Sequence, residues 1–64
     1  MTAKEKEMFD AGIVYGLARL IETFDEPTMA LEIAKGAGVD WTKCDEYDVA
    51  FFREEDETLP KGRQ

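Results

Sequence analysis

The sequence predicts an all-α domain of three helices that works as an oligomer. Three observations carry that prediction. Apolar residues recur at helical spacing from Phe9 to Phe24, FDAGIVYGLARLIETF, the longest such run in the chain. Helix punctuation follows at Asp25-Glu26-Pro27 and again at Gly36-Ala37-Gly38. The chain has 64 residues, one cysteine and no histidine, so neither a disulfide nor a structural zinc can staple so small a core. Oligomerisation is the remaining common device, and an apolar fraction of 44% suits it.

Helix 1 is predicted over about Ala3–Phe24. Thr2 with Glu5 three residues on reads as a capping box. Phe9, Ile13, Leu17, Leu20 and Phe24 fall on one side of a 3.6-residue period and are predicted to face inward. Val14, Ala18 and Ile21 widen that stripe on one flank; Met8, Ala11 and Tyr15 widen it on the other. Asp10 and Tyr15 read as its polar edge. Gly12 and Gly16 lie one turn apart inside it, each costing ~1 kcal/mol relative to Ala in a helix interior. Such a pair points to close packing, either by the chain's own later helices or by a second copy. Gly12, Ile13, Gly16, Leu17 and Leu20 are the candidate oligomer seam.

Pro27, preferred at the first helical position, opens helix 2, predicted over about Pro27–Lys35 with Asp25 or Glu26 as its cap. Thr28, Glu32 and Lys35 face water. Met29, Ala30, Leu31, Ile33 and Ala34 cover the rest, predicting burial on more than one side. Gly36 or Gly38 supplies the left-handed stop. Val39 and Trp41 then plug the end of the core. Helix 3 is predicted over about Thr42–Asp56, capped by Asp40 or Thr42, with Cys44, Tyr47, Ala50 and Phe51 inward. Val-Ala-Phe-Phe within 48–53 would also suit a strand, but the capped start and the spacing favour helix. The domain is predicted to span 1–59, with 60–64 a flexible polar tail.

Composition narrows the function. With no Ser and no His, Ser nucleophiles and Cys–His pairs are excluded, and no enzymatic role, cofactor or metal is expected. An EF-hand pattern begun at Asp40 fails, because Asp45 stands where glycine is needed. Cys44, beside Asp45 and Glu46, reads as an inert core thiol. The net charge of −7 argues against direct nucleic-acid binding and against anionic membranes. The start, MTAKEKEM, has no apolar signal region, so a cytoplasmic location is expected.

The segment IAKGAGVDWTKCDEYDV, residues 33–49, resembles the spacing of small, turn-glycine and apolar residues in helix-turn-helix units. That resemblance implies a helix pair and, as one alternative function, DNA binding. Yet the would-be reading helix begins with Asp45, Glu46 and Asp48, which would face phosphates.

Charge gives the leading expectation. Residues 40–57 hold eight acidic side chains against Lys43 and Arg53. Asp40, Asp45, Glu46, Asp48, Glu54 and Glu55 are the candidate acidic face for docking a basic partner protein, itself one that binds nucleic acid in the extreme case of mimicry. By likeness of class, small acidic helical proteins of phages and mobile elements inhibit their targets in this way. The other alternative is a homo-oligomeric scaffold with no charge-specific partner.

Overall fold

The computed structural model describes all residues, 1–64, and contains three α-helices and no strand. Helix α1 spans Ala3–Phe24, α2 spans Pro27–Ala37, and α3 spans Glu46–Arg53. A single 3₁₀ turn, Trp41–Lys43, lies between α2 and α3. The molecule measures 33 × 18 × 17 Å, its long dimension close to the length of α1.

The capping box forms as predicted. Thr2 Oγ1 accepts from the Glu5 N–H at 3.1 Å, and Glu5 Oε1 accepts from the Thr2 N–H at 2.7 Å. Asp25, left-handed at φ 53°, closes α1, and Pro27 starts α2. Helix α2 runs two residues beyond its predicted end and stops where Gly38 turns left-handed at φ 69°.

Helix α3 corrects the predicted span of Thr42–Asp56. Asp40 caps the 3₁₀ turn, and Asp45 caps α3 by accepting from the Tyr47 N–H at 2.8 Å. Two caps five residues apart divide the segment into a turn and a shorter helix. The strand alternative for 48–53 is settled as helix. The later start also rotates the buried face to Asp48, Val49 and Phe52, leaving Tyr47 exposed and Ala50 and Phe51 half-buried.

The core comprises Val14, Ala18 and Ile21 from α1, Ala30, Leu31 and Ala34 from α2, Val39, Trp41 and Cys44 from the connection, and Val49 and Phe52 from α3. Val39 and Trp41 close its end as predicted, with the Trp41 and Phe52 rings 5.0 Å apart. The predicted inner stripe of α1 is corrected. Its inner side carries Asp10, Val14, Ala18 and Ile21, while Phe9 and Phe24 are 54% and 67% exposed. Two short helices cover only one side of a helix that is apolar nearly all round. Helix α2 is likewise buried on one side only, with Met29 and Ile33 exposed.

Asp10, read as a polar edge, is buried. Its Oδ2 accepts from Lys6 Nζ at 2.6 Å and from the Asp40 N–H at 3.0 Å, tying the 3₁₀ turn to α1. The C-terminal residues, read as a mobile tail, return to α3. Glu46 N–H donates to the Arg63 carbonyl at 2.9 Å, and Arg63 N–H donates to the Cys44 carbonyl at 2.6 Å. Gly62 fits because it lacks a Cβ, which would stand 2.5 Å from the Cys44 oxygen.

Candidate interaction surfaces

Two surfaces qualify, one on α3 and one on α1. The α3 surface contains the predicted acidic face, but the fold uses much of that face internally. Asp48 is turned inward, where Arg19 Nη2 reaches it at 3.0 Å, so it is not part of an outward surface. Glu46 is held by both terminal nitrogens of Arg53, one at 2.6 Å, and accepts from the Gly62 N–H at 2.6 Å. These partners, Arg53 foremost, pull its carboxyl down to about 2. Asp40 accepts from the Thr42 hydroxyl and N–H, which lowers its pKa, and Asp45 caps α3. Glu55 accepts from Thr28 Oγ1 at 2.8 Å; Glu54 is exposed and its carboxylate makes no ion pair or hydrogen bond.

Beside these carboxylates lies a groove that sequence reasoning missed. It has a volume of about 270 Å³ and is lined by Glu46, Tyr47, Ala50, Phe51 and Glu54. Helical spacing of 47, 50, 51 and 54 explains the alignment of an apolar floor with Glu54 at the rim. The Tyr47 and Phe51 rings meet edge-on at 5.6 Å. The Arg19 guanidinium already lies 5.6 Å from the Tyr47 ring centre and 5.7 Å from that of Phe51. The apolar spacing was visible, but an α3 assumed to start at Thr42 placed Tyr47 and Phe51 inside.

The charges sort along the molecule. Six ion pairs engage Lys6, Arg19, Lys35, Arg53 and Arg63, leaving three lysines and nine carboxylates with no ionic partner in the chain. The Thr28–Glu55 bond sets the start of α2 beside the end of α3, so unpaired Asp25, Glu26, Glu54 and Glu55 gather there. At the opposite end Lys4, Lys43 and Arg63 line a hollow of about 250 Å³ with Glu7, Met8 and Ala11. Asp56 is held by Thr58 and by Lys35 in the last turn of α2, which bring its carboxyl down to about 2.

The α1 surface is the predicted oligomer seam. Gly12 and Gly16 are exposed, and a Cβ on either would meet nothing within 4 Å. The chain's own helices therefore do not use these glycines, which overturns the intrachain explanation for them. Ile13, Leu17 and Leu20 are half-buried, packed against the core along one edge only.

Cys44 is fully buried, and burial, then Asp10, Asp40 and Asp48, push its thiol up to about 11. It is a packing residue held off from thiolate chemistry. No helix is long and apolar enough to cross a membrane. Compared with models of protein families, with curated proteins and with solved structures, the chain matches none.

Proposed function

We propose that this chain is a non-enzymatic interaction protein that docks a basic partner protein on the α3 groove and self-associates through α1. The observation that carries the docking is the groove: an apolar floor of Tyr47, Ala50 and Phe51 beside the unpaired carboxylate of Glu54. An Arg or Lys of the partner suits both parts. Its stem covers the aromatic floor, and its charge meets Glu54 and the faces of the rings, as Arg19 does from within the chain. The surplus of unpaired carboxylates steers such a partner and rejects an acidic one. A protein with a basic nucleic-acid-binding groove is the partner class that this charge fits, and occupying that groove would inhibit it. A cytoplasmic setting accords with the lone, buried thiol.

Affinity capture with the tagged chain tests the docking. A partner retained at low salt is expected to elute as salt rises. Tyr47→Ala and Glu54→Lys should each weaken retention tenfold or more while leaving helix content unchanged, because both side chains are exposed. Undiminished retention by both variants would rule the groove out. The open face of α1 favours a second reading, a homo-oligomeric scaffold with no charge-specific partner; a stable oligomer that captures nothing salt-sensitive would establish it.

A further inference from the structure

We infer that two copies of this chain pair α1 against α1 in an antiparallel arrangement, with the Gly12–Gly16 turn of each seated against the other; this rests on the self-association reading above. The outer side of α1 carries Phe9, Gly12, Ile13, Gly16, Leu20 and Phe24. From Ala11 to Ala18 the helix has no Asp, Glu, Lys or Arg, so whatever covers its middle is apolar there. Phe9 is 54% and Phe24 67% exposed, a load of apolar surface that a freely monomeric chain leaves in water.

The stripe is complementary to itself in one direction. With two-fold symmetry and the glycine pair near the axis, Ile13 of one copy falls on Gly16 of the other, and Phe9 falls by Leu20. Ile13 then meets a hollow and Phe9 a smaller neighbour. A parallel pair would set glycine on glycine and Phe9 on Phe9, leaving a gap in the middle and crowding at the end. The glycines give the backbones the close approach that this packing needs, and their own fold leaves the space open.

Charge selects the same direction. The end of the molecule at the start of α1 carries unpaired Lys4 and Lys43 balanced by Glu5 and Asp40; the end at its finish carries unpaired Asp25 and Glu26 with no such balance. Antiparallel pairing sets each acidic end against a nearly balanced one and opposes the two helix dipoles. Parallel pairing brings the acidic ends together within about a Debye length of one another. A second copy is therefore the occupant that fits both the apolar middle and the charged ends.

Sedimentation equilibrium of the whole chain, paired with a spin-label distance, tests this. A dimer is expected at roughly 100 µM protein. Thr23 is exposed at the edge of the stripe, and a label on Thr23→Cys reads direction, the buried Cys44 staying unreacted. Antiparallel pairing sets the two labels about 25 Å apart along the axis. Parallel pairing sets them about 10 Å apart. Gly16→Leu, whose side chain has open space in the single copy, should keep its helix content and weaken the dimer at least tenfold. A dimer with the long distance and that weakening supports the proposal. A dimer with the short distance, or one indifferent to Gly16→Leu, overturns the antiparallel seam and leaves self-association standing. A monomer at that concentration overturns both.

Discussion

The two sides of α1 have nearly the same apolar content and opposite fates. The inner side, Val14, Ala18 and Ile21, is sealed by α2, α3 and the connection, and even its one charged residue, Asp10, is hydrogen-bonded there. The outer side, with Phe9, Ile13, Leu20 and Phe24, is covered by nothing beyond its edge. Apolarity alone therefore does not say which residues hold this fold together. What separates the sides is which one the two short helices can reach. Residues of the inner side stabilise the single copy, and those of the outer side are free to stabilise contact with another molecule.

The largest test of that contrast is a matched pair of truncations near the end of α1. Ile21→Ala removes a side chain that is 8% exposed and should cost 2–5 kcal/mol, roughly, in urea unfolding. Phe24→Ala removes a larger one that is 67% exposed, and at dilute, monomeric concentrations should change stability by about 0.5 kcal/mol or less. Equal losses from the two would mean that Phe24 is covered within the single copy, and the contrast would collapse.

Much of the architecture was legible in local chemistry. Thr2 with Glu5, Pro27 and Gly38 act within a few residues of themselves, so the bounds of α1 and the start of α2 follow from the sequence. The inward side of α1 was not legible. An apolar stripe that wraps most of a helix leaves the phase to be decided by neighbours, and Asp10 looked like an edge because its partners, the Asp40 N–H and Lys6, meet it only in the folded chain. Competing caps at Asp40, Thr42 and Asp45 likewise hid the true start of α3, and with it the α3 groove. Of the predicted acidic face, Glu54 and Glu55 stay outward. Asp48 is lost to Arg19, a pairing 29 residues away in sequence that charge counting does not reveal.

The glycines give a smaller effect of opposite sign. Neither Gly12 nor Gly16 has a neighbour within 4 Å of where a Cβ would stand, so alanine fits at both. In the single copy Gly12→Ala or Gly16→Ala should stabilise by ~1 kcal/mol each, the ordinary helix preference. For a domain of this size that raises the melting temperature by roughly 4–8 °C per substitution. Gly62→Ala should do the reverse, since its Cβ would stand 2.5 Å from the Cys44 oxygen and 2.9 Å from the Glu46 Cα. A loss of stability at Gly12 or Gly16 in dilute solution would show that the chain itself closes on them.

The smallest effect is at the inner end of α1, where the tail is strapped down. Arg63 reaches Glu7 of α1 at 2.9 Å, and Gly62 donates to Glu46. Arg53 and the Gly62 N–H hold the Glu46 carboxyl down to about 2, against an ordinary value of about 4.3. A carboxyl depressed on folding stabilises the fold above its ordinary pKa. That contribution is lost as pH falls through the folded value, here between about 4 and about 2. Protonating Glu46 should loosen the hold on Gly62 before the helices melt, because the contact lies outside the core that Val49 and Phe52 hold together. The Gly62 amide resonance is therefore expected to titrate with a midpoint near 2, while far-ultraviolet dichroism still reports helix. Arg53→Gln, which removes the main cause of the depression, should carry that midpoint up toward the ordinary value. A midpoint already near 4 in the unsubstituted chain would mean that Arg53 and Gly62 do not bind Glu46 in solution, and that the tail is free there.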